Sequence, residues 1–225
     1  MNFLYQIAPN LEPLGGELLK CIRQTFQMLM VSGLIAFFLG VLLGVLLTVT
    51  KSDGIMRNPI LYKFLDKIID VIRSIPFIIL MVLLIPLSRT LVGTGSGVTG
   101  SYVALIAGTV PFFARQIESV LADVDYGLVE ASEAMGFSPT EIIFSVYLKE
   151  SIPGITRVTM ITFVSLIGIT AMAGAIGAGG LGDFAIRYGY QMGYRDMIWV
   201  TVIIILAIIS VIQFIGNVII KRTTH

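Results

Sequence analysis

LVEASEAMGFSPTEIIFSVYLKESI, residues Leu128 to Ile152, is the longest polar interruption in a chain that is otherwise mostly apolar. It reads as two short helices with a joint. Gly136 suits the left-handed position that closes a first helix. Ser138 caps a second, Pro139 takes its first position, and Glu141, three residues after Ser138, completes a capping box. Each half is too short to cross a bilayer, which takes about 20 residues. The stretch is therefore predicted to be a docking element outside the hydrocarbon. Leu128, Ala131, Met135, Ile142, Ile143 and Val146 recur at helical spacing and either meet a partner or pack on the rest of the chain.

The surrounding composition demands lipid as solvent. Of 225 residues, 56% are apolar and 13% charged, against about 25% charged in soluble domains. Mean hydropathy is +0.93. A net charge of +1 gives no argument for nucleic acid. The single cysteine, Cys21, has no partner for an internal disulfide and reads as inert. The first residues carry no basic n-region, so no cleaved signal peptide is expected.

Charges punctuate the apolar runs into five expected spans, at about 24–50, 66–88, 101–120, 156–177 and 197–220, with a polar loop over 124–150. Between Arg23 and Lys51 lie 27 uncharged residues, enough for a crossing. In this run Gly40 and Gly44 form a G-x-x-x-G pair, which is either a dimer face or ordinary close packing. From Pro59 the apolar residues Ile60, Leu61, Phe64, Leu65, Ile68, Ile69 and Ile72 recur at helical spacing among Lys63, Lys67 and Arg73. They predict an amphipathic helix at the membrane surface. It runs into a short second span interrupted by Pro76 and Pro86. The stretch Gly93–Ser101 reads as a flexible loop. With five spans, residues 51–73, 115–157 and 221–225 share one side and hold ten of the fifteen basic residues. The excess of Lys and Arg makes that side cytoplasmic and the N-terminus external.

Nucleotide and catalytic motifs fail on context. Gly177, Gly179 and Gly182 spell G-x-G-x-x-G, but that fingerprint needs a preceding strand, and here it follows an apolar span. The glycines Gly177, Gly179, Gly180 and Gly182 read instead as a compact turn, an outer gate or a contact for an external partner. The Gly93–Ser101 loop lacks a phosphate-binding lysine. The only histidine is His225, read as a solvated tail, and no metal-spaced Cys/His set exists. Charges are nearly missing from the spans, whereas ion-coupled carriers place carboxylates or histidines mid-membrane. Arg115 and Glu118 are the near-membrane exception and read as an i, i+3 pair at a helix end. Energy for transport is therefore expected from another subunit, and no cofactor is expected on this chain.

At Glu130-Ala131-Ser132, followed three residues later by Gly136 and nine further by Val146-Tyr147-Leu148-Lys149, the sequence resembles the cytoplasmic signature of the permease subunits of bacterial ABC importers. Lys149 departs from the proline of that pattern. RSIPFIIL (Arg73–Leu80), PFFARQIE (Pro111–Glu118) and GAIGAGGLGDFAIRYGY (Gly174–Tyr190) look like the methionine branch of that family. The resemblance implies an all-α integral membrane protein of the type I ABC importer permease fold, moving methionine or a related amino acid by alternating access. It implies a homodimer in a bacterial cytoplasmic membrane, with the C-terminus in the cytoplasm. It also implies two cytoplasmic ATP-binding subunits that use ATP and Mg, and an external methionine-binding protein or lipoprotein. Glu130, Ala131, Ser132, Met135, Gly136 and Pro139 become the expected ATPase-coupling residues. Pro76, Pro111, Ser165, Gly168 and Met172 are candidates for the pathway. Two alternatives stay open: an ABC permease for another amino acid, osmolyte or oxyanion, and an ion-gradient carrier, which the missing mid-span charges oppose.

Overall fold

The computed structural model describes residues 9–223; His225, expected to be a solvated tail, lies outside the described residues. Among those described the chain is almost entirely helical, with no strand, as its apolar periodicity requires. Helix α1 (Leu11–Thr50) has 40 residues, about 60 Å at 1.5 Å per residue. It starts well before the expected span at 24, because the charged stretch from Leu11 continues the same helix.

The expected span at 66–88 is not one helix. Asn58 caps α2 (Pro59–Ser74) by accepting from the Leu61 N–H at 3.1 Å. The chain then turns extended at Ile75 (φ −84°, ψ 123°), since a residue before proline is driven out of the helical region. Pro76 stands at the N-cap of α3 (Phe77–Leu83). A second change of direction at Leu84 (φ −89°, ψ 2°) opens α4 (Ile85–Val92), with Pro86 in its first turn. The expected flexible loop at Gly93–Ser101 is also shorter than read. It narrows to a turn after Gly93, and α5 (Gly97–Ala122) begins inside it. Small residues allow this: a side chain on Gly100 would stand 2.7 Å from the backbone carbon of Gly95.

The polar stretch forms α6 (Tyr126–Ala134) and α7 (Pro139–Ile142), which continues through a wider π-type turn (Ile143–Tyr147) to Glu150. Helix α8 (Ile152–Ala173) follows, then α9 (Gly180–Phe184) and α10 (Arg195–Thr223). Among the described residues four helices, α1, α5, α8 with its continuation to Ala178, and α10, are long and apolar enough to cross a membrane by themselves.

The chain forms two compact units. The first takes the chain up to Leu34, Pro76–Ala107 and Phe163–Gln213. Its core is Met28 and Leu29 of α1, Met81 of α3, Ala104 and Leu105 of α5, and Leu166 and Ile167 of α8. Cys21 is buried in a neighbouring cluster with Leu18, Leu181, Phe184 and Met197. The second unit takes Ile35–Ile75, Gly108–Thr162 and the chain from Phe214. Its core joins Phe113, Ile117 and Leu121 of α5 to Val129, Ile142, Val146 and Tyr147 of the polar helix pair. Within this unit Gln116 donates to the Thr162 hydroxyl at 3.1 Å, tying α5 to α8. Gly40 and Gly44 are filled from the same chain. A side chain on Gly40 would meet Phe113 Cβ at 3.2 Å, and one on Gly44 would meet Ile117 Cβ at 2.6 Å. The G-x-x-x-G pair therefore seats α5 closely on α1.

Candidate functional site

Local chemistry fixes the joint between α6 and α7. Asp125 caps α6 by accepting from the Gly127 N–H at 2.9 Å. At the other end Gly136 adopts φ +84°. Its N–H donates to the Glu133 carbonyl at 2.9 Å, and the Phe137 N–H donates to the Ser132 carbonyl at 3.1 Å. This pair of bonds is the Schellman closure, and the left-handed residue makes it possible. No atom lies within 4 Å of where a Gly136 side chain would sit, so backbone conformation and not space selects glycine there. One residue on, the Ser138 N–H and hydroxyl each donate to the Glu141 carboxylate at 2.7 Å, while the Glu141 N–H donates back to the Ser138 hydroxyl at 3.4 Å. Those bonds hold the Glu141 carboxyl below its ordinary value. Pro139 occupies the first position of α7, where its missing N–H costs nothing.

The joint gives the pair two faces. Val129, Ser132, Ile142, Val146 and Tyr147 are buried, Val129 and Ile142 to within 1% of full burial. Ser132 satisfies its hydroxyl by donating to the Leu128 carbonyl at 2.8 Å. Burial pushes the Tyr147 phenol above its usual range, with a smaller push from Asp53. On the other face Leu128, Met135, Phe137 and Phe144 stand in solvent; Met135 and Phe144 are each 66% exposed. Glu130, Ala131, Glu133, Gly136, Pro139 and Glu141 are exposed around them. The six apolar residues that share helical spacing are thus divided: Leu128, Ala131 and Met135 face outward, Ile142 and Val146 anchor the pair to α5, and Ile143 is half-buried. Ser132 stands apart from the other candidate coupling residues, since it faces inward.

Exposed apolar residues with an acidic rim are surface of the kind that meets another protein or a membrane. Phe137 and Phe144 belong to it and were not singled out by the sequence. Their signal is that both fall out of phase with the buried set. Beside the pair lies a pocket of about 250 Å³ lined by residues that include Thr48, Lys51, Asp53, Tyr126, Val129 and Tyr147.

A second polar construction braces the same unit. The Arg115 guanidinium of α5 bonds the Asp66 carboxylate, Asp70 at 2.9 Å and Glu118 at 2.8 Å. The Tyr62 hydroxyl donates to Glu118 at 3.4 Å, and its phenol is raised by burial, then by Glu118 and Asp66. The i, i+3 pair read from the sequence is present, and it also clamps α2 to α5.

The candidate pathway residues divide by unit. Ser165, Gly168 and Met172 follow one face of α8. Gly168 and Met172 are exposed, Ser165 is half-buried, and nothing stands within 4 Å of a side chain placed on Gly168. Pro76 is exposed at the α3 N-cap in the same unit. Pro111 is buried in the interior of α5 and belongs to the second unit.

The glycine run is a packed turn. The chain leaves the helix at Ile176, and Gly177 and Gly179 carry it round with positive φ. The Gly180 N–H then donates to Gln24 Oε1 at 2.9 Å and the Leu181 N–H to Thr25 Oγ1 at 2.8 Å. A side chain on Gly180 would meet Thr25 Oγ1 at 2.7 Å, while Gly182 sits against the Ala171 backbone. Gly180 is buried, Gly179 and Gly182 are partly covered, and Gly177 is exposed.

A model of the family described as "binding-protein-dependent transport system inner membrane component" matches residues 36–225. The probable D-methionine transport system permease protein MetI of Vibrio cholerae is 42% identical over 208 residues, covering 92% of each chain. The methionine import system permease protein MetP of Bacillus subtilis is 40% identical over 174 residues, covering 77% of this chain and 78% of that one. Among solved structures, a chain of the inward-facing MetNI methionine ABC transporter superposes with a TM-score of 0.92 at 39% identity, covering 95% of this chain and 99% of that one.

Proposed function

Because this chain belongs to the family of binding-protein-dependent transport system inner membrane components, and has the fold of an ABC importer permease, we propose that it is the membrane permease of an ATP-driven importer of methionine. The exposed face of α6 and α7 is the observation that carries the coupling part. Leu128, Met135, Phe137 and Phe144 are exposed on a rigidly capped helix pair whose other face is anchored in the core of its unit. A chain without a recognisable nucleotide site needs an external motor, and this face is where it docks. The methionine assignment is supported by the relatives named above, which are methionine permeases.

The working assembly is two copies of this chain with two cytoplasmic ATP-binding subunits, which bind the ATP and Mg, and an external methionine-binding protein. Each copy crosses the membrane five times: α1, α5, α8 and α10 singly, and α3 with α4 as a broken fifth crossing. The ten cations assigned to the cytoplasmic side all fall in the second unit, which also carries the helix pair. We place that pair and the C-terminus in the cytoplasm, and the N-terminus outside. ATP closure of the motor pulls the pair and opens the pathway outward; it does so only through its different affinity for the two states. Ser165, Gly168 and Met172 present one open face of α8 to the solute.

Reconstituted vesicles test this reading. Labelled methionine should accumulate only when ATP, the ATP-binding subunit and the binding protein are all supplied. Uptake driven by an ion gradient without ATP would overturn it.

A further inference from the structure

Helix α2 has three distinct sides. Its inner side carries Tyr62, Leu65 and Ile69, packed with Leu47 and Ala114, and its two acids, Asp66 and Asp70, are both engaged by Arg115. A second side is an exposed apolar stripe. Ile60, Phe64, Ile68 and Val71 are 84%, 61%, 40% and 51% exposed, and at about 100° per residue they fall in one row along the helix. A third side borders that row. Lys63 and Lys67, one turn apart, are both exposed, and neither stands within ion-pair distance of a carboxylate among the described residues. Arg57, just before the helix, is exposed and equally unpaired among those residues.

This arrangement sorts apolar surface, cationic surface and protein contact onto three adjacent sectors. An apolar stripe of this length is unfavourable in water, and free cations beside it are unfavourable in hydrocarbon. Both are satisfied where acyl chains meet headgroups. The helix's own acids turn toward Arg115 and form no ion pair with either lysine. We infer that α2 is a binding element for anionic phospholipid. Its apolar stripe enters the acyl layer, while Lys63 and Lys67, with Arg57, take headgroup phosphates, which attract cations at a bilayer surface. The charge complementarity selects an anionic leaflet over a zwitterionic one. The inference rests on the chain's being a membrane component and not on which solute it moves.

The test needs no transport. Trp199 is the only tryptophan, so the full-length double variant Trp199→Phe, Phe64→Trp places the sole indole on the stripe. It is reconstituted in phosphatidylcholine vesicles containing either brominated phosphatidylcholine or brominated phosphatidylglycerol at equal bromine content. Quenching should be several-fold stronger with the brominated phosphatidylglycerol. Adding Lys63→Gln and Lys67→Gln should remove that preference while quenching by the brominated phosphatidylcholine persists. Three results would overturn the inference: equal quenching by both lipids before the lysines are changed, a preference that survives their loss, or no quenching at all. Ile68→Trp in the same Trp199→Phe background repeats the reading if the residue 64 variant misfolds, and methionine uptake by these variants reports separately on the transport reading.

Discussion

Gly136 is held by conformation alone, and that makes it a sharp probe. A β-branched residue at φ +84° costs about 1–2 kcal/mol or more, whereas asparagine visits this region with little strain. Gly136→Val should therefore loosen the joint and depress ATP-driven uptake, while Gly136→Asn stays close to wild type. Equal uptake in the two variants would show that the turn does not matter. Two residues on, the capping box carries a pH signature. Glu141 has its carboxyl lowered by the Ser138 hydroxyl and N–H, so the charged form stabilises the folded pair. That contribution is present above the ordinary glutamate range and is lost as pH falls through the depressed value. A carboxyl titration followed by NMR should give Glu141 a midpoint below that of a free glutamate, and Ser138→Ala, which removes the hydroxyl and keeps the N–H donor, should raise it part of the way back. No movement on that substitution would contradict the box.

Among the helices, the contact of α1 with α5 in the second unit and the clamp of α2 on α5 set the frame. Gly40→Leu forces a side chain into Phe113, and overpacking of this kind costs about 1–3 kcal/mol. The expected outcome is a lower melting temperature in detergent, partly restored by Phe113→Ala; an unchanged melt would mean that the helices do not sit this close. Arg115→Gln leaves Asp66, Asp70 and Glu118 without their cation, and unsatisfied polar groups of this sort cost about 1–3 kcal/mol each when buried. Partial solvent access reduces that figure here. Adding Asp66→Asn should recover stability, and purely additive losses would argue against a clamp. These features mark where sequence reading reaches and where it stops. The joint at Gly136, Ser138 and Glu141 was legible because capping is local chemistry. The long spans were legible because lipid imposes length. The break at Ile75 was signalled by Pro76, but the division of 66–88 among three helices was not, since a proline in an apolar run is compatible with a kink or a stop. Arg115 was legible as the partner of Glu118, which is local, and not of Asp66 and Asp70, which lie 49 and 45 positions away. Phe137 and Phe144 were hidden for the same reason: which face of a helix is buried depends on α5, not on the pair itself.

At the scale of the whole molecule, the capped helix pair, anchored on one face and exposing apolar side chains on the other, is the element proposed to receive the motor. The proposed reading puts that pair on the side that holds ten of the fifteen basic residues, taken as cytoplasmic, and takes its energy from ATP in a partner. The claim that the outer face grips the motor is tested most directly by capture. The chain, co-expressed with its ATP-binding subunit, is purified from membranes as wild type and as the variant Met135→Glu, Phe144→Glu. Each buried apolar anchor of an interface contributes about 2 kcal/mol or more, so two charged replacements should weaken capture by roughly a thousandfold. The account predicts equal membrane insertion for both chains, stoichiometric ATP-binding subunit with the wild type, and none with the variant. Undiminished capture by the variant would contradict it.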